Sequence, residues 1–349
     1  MNTFGDRLRM RHVAAAAALV IALSGETGAQ TSPQTIGDVF DRVYRSVVLV
    51  RATERDVPSE PGEPGGRVSS FGSGVLISQD GRILTAAHLV HAASEIHVEF
   101  WNGQRSRARV VSSAPGADVS LLQAETVPND APVAHLADSD RARIGDQVFI
   151  VGAPDGLTHT LTVGHVSGRQ KPGQMVTGFV HAEFLQTDAA INQGNSGGPM
   201  FNITGEVLGV VSHIISKSGG FEGLGFVVTS NVARQLLLER GAAWHGIDAV
   251  LLTGDQLKVF NLPEPGVLIQ RVVENSFAAK LGLRGGFVKA TIGDRTLIVG
   301  GDVVLRVQGV PVAEGHRLRE MLGRLQSGER LTMTIVRQGR LQELSMTVP

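Results

Sequence analysis

The sequence predicts a mainly β protein of two domains. Its 349 residues exceed what one core ordinarily organises, at roughly 150 residues per domain. Up to Arg240 the chain reads as short β-rich runs punctuated by Gly, Asn, Asp or Pro, the pattern of a β barrel or sandwich. A small-residue joint, Gly241-Ala242-Ala243, then leads into a second block from Trp244 to Pro349 that mixes strands with a helix. Hydrophobic residues make up 42% of the chain, and its 43 glycines and 14 prolines fall well below the level of low-complexity sequence. Both blocks can therefore bury a core. A net charge of −1 leaves no electrostatic footprint for nucleic acid. With no cysteine, disulfides, thiolate metal sites and a thiol nucleophile are all excluded.

The elements follow in order. Arg7, Arg9 and Arg11 precede an apolar run from Val13 to Leu23 and small residues up to Ala29, the three-part pattern of a secretory signal peptide over residues 1–29. That run is too short to span a bilayer. Cleavage after Ala29 removes three arginines and two acids and leaves a net charge of −2. Ile36, Val39, Phe40, Val43 and Tyr44 fall at helical spacing, and Ser46–Val50 reads as a strand. Asp56 to Arg67, with three prolines and three glycines, predicts a long exposed loop. Strands are predicted at 74–78, 83–85, 96–100, 119–123, 147–151, 160–166, 206–215 and 225–228, and a closing helix over 231–240. In the second block, strands are predicted at 266–273, 330–337 and 341–348, and a helix at 317–325.

Chemistry concentrates in three places. Gly194-Asn195-Ser196-Gly197-Gly198-Pro199 sets a serine among glycines, whose access to positive φ lets successive N–H groups converge on one point. Such convergence stabilises an oxyanion. A serine nucleophile needs a base and a group to orient it. Thr85-Ala86-Ala87-His88 offers the base at a strand end, and Asp118, opening the apolar run Val119–Leu122, offers the orienting carboxylate. Asp138 and Asp140 lie in a polar stretch, and Asp188 suits a supporting place near the serine loop. His91 follows His88 at an HxxH spacing, but no carboxylate completes a metal motif, so it reads as a surface histidine.

The order His88, Asp118, Ser196 and the phrase from Thr187 to Pro199 resemble the HtrA/Deg family of secreted serine proteases. Gly205-Glu206-Val207-Leu208-Gly209 and Gly223-Leu224-Gly225-Phe226 extend the likeness. The resemblance implies a chymotrypsin-like double β-barrel over residues 30–240 and a PDZ domain over 244–349. It implies catalytic His88, Asp118 and Ser196, an oxyanion hole from the loop Gly194, Asn195 and Ser196, and no cofactor or metal. The substrate pocket would be lined by Ala190, Ile191, Val210, Val211 and Ser212, with a preference for small or medium aliphatic side chains. Two residues depart from the family pattern. Gln193 replaces the usual proline before Gly194, and His213 stands where a small residue is common. Residues 167–184 resemble the family's sensor loop, and Gly168, Gly173 and Gly178 suit a mobile segment.

In the second block, Trp244-His245-Gly246-Ile247, Gly266–Ile269, Ala278–Leu283 and Gly300–Val304 resemble successive landmarks of a PDZ domain. PDZ domains bind an extended C-terminus by strand addition and capture its carboxylate on backbone N–H groups. His245, Gly246 and Ile247 would supply the donors, and the 317–325 helix the facing wall. Gly223–Phe226 also spells a PDZ signature but precedes the closing helix, so it is assigned to the protease. Residues 287–299 look like an insertion between landmarks. The expected protein is a periplasmic, ATP-independent endopeptidase of unfolded or damaged envelope proteins, assembled as a trimer or an oligomer of trimers, with Phe40 and Tyr44 as candidate trimer contacts. The rival readings are a holding scaffold for misfolded chains and a signalling protease with one partner.

Overall fold

The computed structural model describes residues 34–58, 65–153, 159–172, 182–216, 218, 220–241, 243–293, 295–324 and 328–348. The expected signal peptide and Gly173 and Gly178 of the sensor segment lie outside the described residues. Helix α1 (Ile36–Val43) opens on a reciprocal cap: Thr35 N–H and hydroxyl both donate to Asp38 Oδ2, and Asp38 N–H donates to Thr35 Oγ1.

Six strands close the first barrel in the order β1-β2-β3-β6-β5-β4. These are β1 (Val47–Arg55), β2 (Arg67–Leu76), β3 (Arg82–Thr85), β4 (Glu95–Glu99), β5 (Arg105–Ala114) and β6 (Val119–Ala124), with the single-turn helix α2 (Ala87–Val90) between β3 and β4. Inward-facing Val48, Val50, Leu76, Ile83, Val98 and Leu122 fill the interior. The second barrel closes as β10-β11-β12-β9-β8-β7, from β7 (Gln147–Gly152), β8 (Thr160–Gln170), β9 (Phe184–Thr187), β10 (Pro199–Asn202), β11 (Val207–Ile214) and β12 (Gly225–Thr229). Val148, Ile150, Leu185, Met200, Val211 and Val227 pack its core. Closure leaves neither barrel with a free edge.

The predicted 56–67 loop lies between the end of β1 at Arg55 and the start of β2 at Arg67, and the strand after it is longer than expected. β1 and β2 pair from Val47↔Val75 out to Arg55↔Arg67, so β2 begins seven residues before the predicted strand. The closing helix starts regularly as α3 (Ser230–Ala233), capped by Thr229 Oγ1, and widens into a π-helical turn over Arg234–Glu239.

A third sheet, in the order β13-β14-β17-β19-β20, forms the C-terminal domain. It comprises β13 (Ile247–Leu252), β14 (Gly266–Val272), β17 (Val303–Val307), β19 (Arg330–Arg337) and β20 (Arg340–Thr347), with the short β18 (Val310–Pro311) beside β17. Three helices, α4 (Gln256–Val259), α5 (Phe277–Leu281) and α6 (Gly315–Arg324), complete it. The 287–299 insertion is a hairpin of β15 (Val288–Ile292) and β16 (Arg295–Val299). Leu297, 2% exposed, drops from this hairpin into a core with Leu252, Leu268, Val303 and Leu305. Asp302, buried at the start of β17, is held by two hydrogen bonds from the Arg337 guanidinium.

Candidate active site

His88 is delivered by a change of local structure. β3 ends at Thr85, Ala86 stays extended, and one helical turn follows in which Ala87, Leu89 and Val90 are buried and His88 is turned outward. Asp118 ends a tight turn over Pro115–Ala117 in the left-handed conformation, φ 54°, which an aspartate tolerates better than most residues. Its side chain is buried, 1% exposed. His88 Nδ1 lies 3.0 Å from both Asp118 oxygens, and the His88 backbone N–H donates to Oδ1 at 3.0 Å. An ionised carboxylate only accepts, so Nδ1 carries the ring proton and Nε2 is left as the base. Ser212 Oγ donates to Asp118 Oδ2 as well. Burial pushes the Asp118 pKa up, but the hydrogen bond and charge of His88, with the Ser212 hydroxyl, outweigh it and hold the carboxyl below its ordinary value.

Ser196 arrives from the other barrel. Its Oγ donates to the Ser212 carbonyl at 3.4 Å, so Ser212 joins the serine by its backbone and the aspartate by its side chain. Among the described residues, Ser196 Oγ makes no hydrogen bond with His88, a looseness ordinary in a site without substrate. The loop turns on Gly194 (φ 102°) and Gly197 (φ 81°). At Gly197 a Cβ would stand 2.2 Å from the Ser73 carbonyl oxygen and 2.3 Å from Thr85 Oγ1, so only glycine fits there. Asn195 N–H donates to the Asn192 carbonyl, Gly197 N–H to Val211 and Gly198 N–H to Asn195. Among the described residues, the N–H groups of Gly194 and Ser196 have no acceptor. The Asn195 N–H is spent within the turn, so Asn195 belongs to this loop without offering a donor.

Ser73, absent from the sequence reading, fixes this loop from the first barrel. Fully buried in β2, it donates its hydroxyl to the Gly194 carbonyl at 2.7 Å and accepts the Ala153 N–H at 2.9 Å. Its backbone N–H donates to the Ser196 carbonyl at 2.8 Å. A serine in a polar Ser-Ser-Phe-Gly-Ser run carries no sequence signal for such a role.

The trypsin-like peptidase domain family matches residues 72–210, and the PDZ domain family matches residues 226–348. A probable periplasmic serine endoprotease, DegP-like, from Pseudomonas fulva (strain 12-X) is 36% identical over 307 residues, covering 84% of this chain and 60% of the relative. The DegP-like relative from Pseudomonas putida (strain GB-1) is also 36% identical, over 308 residues with the same coverage. The chain thus spans 60% of the length of these curated relatives. The HtrA-type protease AlgW, solved with a decapeptide, superposes with a TM-score of 0.52 at 27% identity, covering 90% of this chain and 98% of that one. A trypsin-like peptidase domain followed by a PDZ domain, with DegP-like and HtrA-type proteins as relatives, makes the chain similar to the HtrA/Deg family over most of its length.

Within the second barrel, the expected pocket residues divide. Ala190 is half-buried, and its carbonyl accepts Thr162 Oγ1 at 3.0 Å. Ile191, 3% exposed, joins Val211 and Val227 in the core of the second barrel, and its Cδ1 fills the space beside Gly225. Val210 is one step along the strand from Val211 and so faces the opposite side. Ser212 turns its hydroxyl to Asp118.

Among the described residues, the side-chain partners of Asp188 lie on β8. Its carboxylate accepts the His165 N–H and pairs with that ring at 3.8 Å, bracing β8. His91, expected at the surface, is half-buried and uses its carbonyl to accept Trp244 Nε1–H at 3.0 Å. Among the described residues, no cluster of His, Asp or Glu could hold a metal ion, and no helix is long and apolar enough to cross a membrane.

His245, Gly246 and Ile247 lead into β13, an edge strand of the PDZ sheet. Gly246 takes φ 67°, its carbonyl accepts Val273 N–H, and the His245 carbonyl accepts Ala278 N–H. Leu318 and Met321 of α6 pack on the same core as Ile247 and Ala249. A cavity of about 240 Å³ lies beside the loop, lined by His245–Ile247 and by His91, Ser113 and Pro115 of the first barrel.

Proposed function

We propose that the chain is an exported serine endopeptidase of the cell envelope, ATP-independent, acting on unfolded or damaged proteins. The observation that supports this reading most is the linked set His88–Asp118–Ser212–Ser196, with Gly194 and Ser196 N–H groups left without acceptors beside the serine. In this reading Ser196 Oγ adds to the peptide carbonyl while His88 Nε2 takes its proton. Asp118 holds the Nδ1–H tautomer and stabilises the imidazolium. The Gly194 and Ser196 N–H groups meet the oxyanion, and His88 returns the proton to the leaving amine. Water, activated by the same imidazole, then hydrolyses the acyl-enzyme. Ile191 beside Gly225 favours small or medium aliphatic side chains in the pocket.

The domain limits are taken as 30–240 for the protease and 244–349 for the PDZ domain, behind a cleaved signal over residues 1–29. The open edge of β13 and its Gly246 turn suit capture of C-terminal peptides by strand addition. A periplasmic location follows from the signal pattern and from the names of the relatives. Assembly as a trimer, or an oligomer of trimers, is assigned to the N-terminal face, where Phe40 stacks on Tyr44 with centroids 5.2 Å apart. The test is cleavage of unfolded casein by the purified protein and by Ser196→Ala, with and without a hydrophobic C-terminal peptide. Cleavage is expected in the first and absent in the second, with stimulation by peptide. Equal cleavage by both proteins sinks the serine mechanism.

A further inference from the structure

His213 is one of the two departures from the family pattern, and the structure places it against the catalytic network. A register shift in β11, between Val211 and His213, pairs His213 with Phe226 directly after Val211 pairs with Val227. Such a bulge re-aims side chains that strand alternation would send to opposite faces. As a result His213 Nδ1 comes within 2.9 Å of Ser212 Oγ. The ring is stacked on Phe226 at 5.1 Å, 14° from parallel, and meets Phe184 edge-on at 5.7 Å. Two aromatic walls therefore fix its plane.

Proton counting decides the direction of that bond. The Ser212 hydroxyl has one proton, and it goes to the Asp118 carboxylate, which can only accept. Ser212 Oγ can then only accept from His213, so His213 Nδ1 carries the proton. Burial holds the ring below the usual imidazole range, with Asp118 pulling the other way and His88 adding to the depression. Among the described residues, Asp118 and His88 are charged and titratable groups that act on it, and Phe184 and Phe226 are rings packed against it.

We propose that His213 is a positioning residue for the catalytic dyad, whose Nδ1–H donates to Ser212 Oγ and thereby locks the Ser212 hydroxyl onto Asp118. A serine hydroxyl is otherwise free to rotate, for instance toward a carbonyl. Donation from His213 occupies the lone pair on the side away from Asp118 and leaves one direction for the proton. Asp118 then presents its oxygens to His88 in a single orientation. The same Ser212 carries the carbonyl that receives Ser196 Oγ, so the device acts on all three members of the site from one strand.

The proposal rests on the proteolytic reading above, and its test separates the two. His213→Leu keeps apolar bulk between Phe184 and Phe226 and removes the donor. His213→Asn keeps a donor, its Nδ2–H, near the position of Nδ1. Casein cleavage and the proton resonance of the His88 Nδ1–H in histidine-labelled protein are measured for both. The Leu variant is expected to lose about 3- to 10-fold in kcat, the worth of one hydrogen bond, with KM unchanged. Its His88 Nδ1–H signal should broaden or move upfield. The Asn variant should restore both readouts. Equal losses in Leu and Asn, or no change in the Leu variant, overturn the proposal. If the wild type itself does not cleave casein, the proteolytic reading falls, and the resonance alone decides whether His213 orders Asp118.

Discussion

At the residue scale, the site rests on one buried carboxylate with more donors than it has oxygens. Asp118 receives the His88 ring, the His88 backbone and the Ser212 hydroxyl. Its folded pKa is lowered, so the native state holds fewer protons than the unfolded one through the titration range. Stability from this group is fully present above the unfolded value near 4 and is lost as pH falls through the lower folded value. Asp118→Asn keeps the shape and the left-handed backbone but does not titrate. Its kcat should fall by about 10⁴-fold, because an amide can leave the imidazole in the wrong tautomer. In urea titrations, its stability deficit against the wild type should narrow between pH 5 and pH 3. A deficit that stays constant over that range means Asp118 is not the ionised acceptor described here. His88, Asp118 and Ser196 were legible because each sits in a short motif whose local backbone serves the chemistry. Ser73 and the Ser212–His213 pair were not, since their roles depend on register and on a bulge.

At the scale of elements, most strands with a long apolar run could be read, β13 and β17 being missed, and the polar strand β5 could not. β5 carries three arginines and three serines, yet Ser106, Ser112 and Ser113 are buried. Ser113 Oγ meets Ser120 Oγ at 2.7 Å, and Ser106 Oγ accepts Thr126 N–H. Such pairing lets a hydrophilic strand sit inside a barrel without leaving polar groups unsatisfied. β9 and β10 have four residues each, and β10 opens on Pro199, so periodicity had too little chain to act on. The 287–299 insertion shows the opposite problem, since its role lies in what it touches. Ile298 N–H donates to Gln270 Oε1 at 2.9 Å, and Leu297 is enclosed by β13, β14 and β17 residues. The hairpin is therefore part of the PDZ core. Leu297→Ala should lower the stability of this domain by about 2–5 kcal/mol, the range for a buried leucine truncated in a packed core. Calorimetry should show the loss, with casein cleavage in the absence of peptide nearly unchanged. A cost under about 1 kcal/mol would mark the hairpin as an appendage.

At the scale of the molecule, the question is what makes the protease and the PDZ domain respond together. Among the described residues, several contacts join them, beginning with the exposed ion pair of Arg55 and Glu274 at 2.9 Å. Arg271 of β14 reaches Glu54 of β1 at 3.1 Å while holding Asp248 of its own sheet at 2.9 Å. Lys289 of the hairpin pairs with Asp56 at 2.7 Å and gives its backbone N–H to the Pro58 carbonyl. Trp244 packs against the core of the first barrel and donates to the His91 carbonyl. The ion pairs are partly solvated, where such pairs contribute little, so the tryptophan dominates by buried apolar area. It is also the best placed, because His91 closes the helical turn that carries His88, and Trp244 precedes the Gly246 turn. Trp244→Ala should weaken the coupling of the domains by about 2 kcal/mol, roughly half the cost of truncating a fully buried tryptophan. Thermal unfolding should then separate into two transitions, and the radius of gyration in solution scattering should rise. Trp244→Phe keeps most of the packing and loses only the hydrogen bond, so it should retain a single transition. If the alanine variant unfolds as one unit with unchanged dimensions, Trp244 is not the joint, and the charged contacts of Arg55, Arg271 and Lys289 must carry the coupling instead.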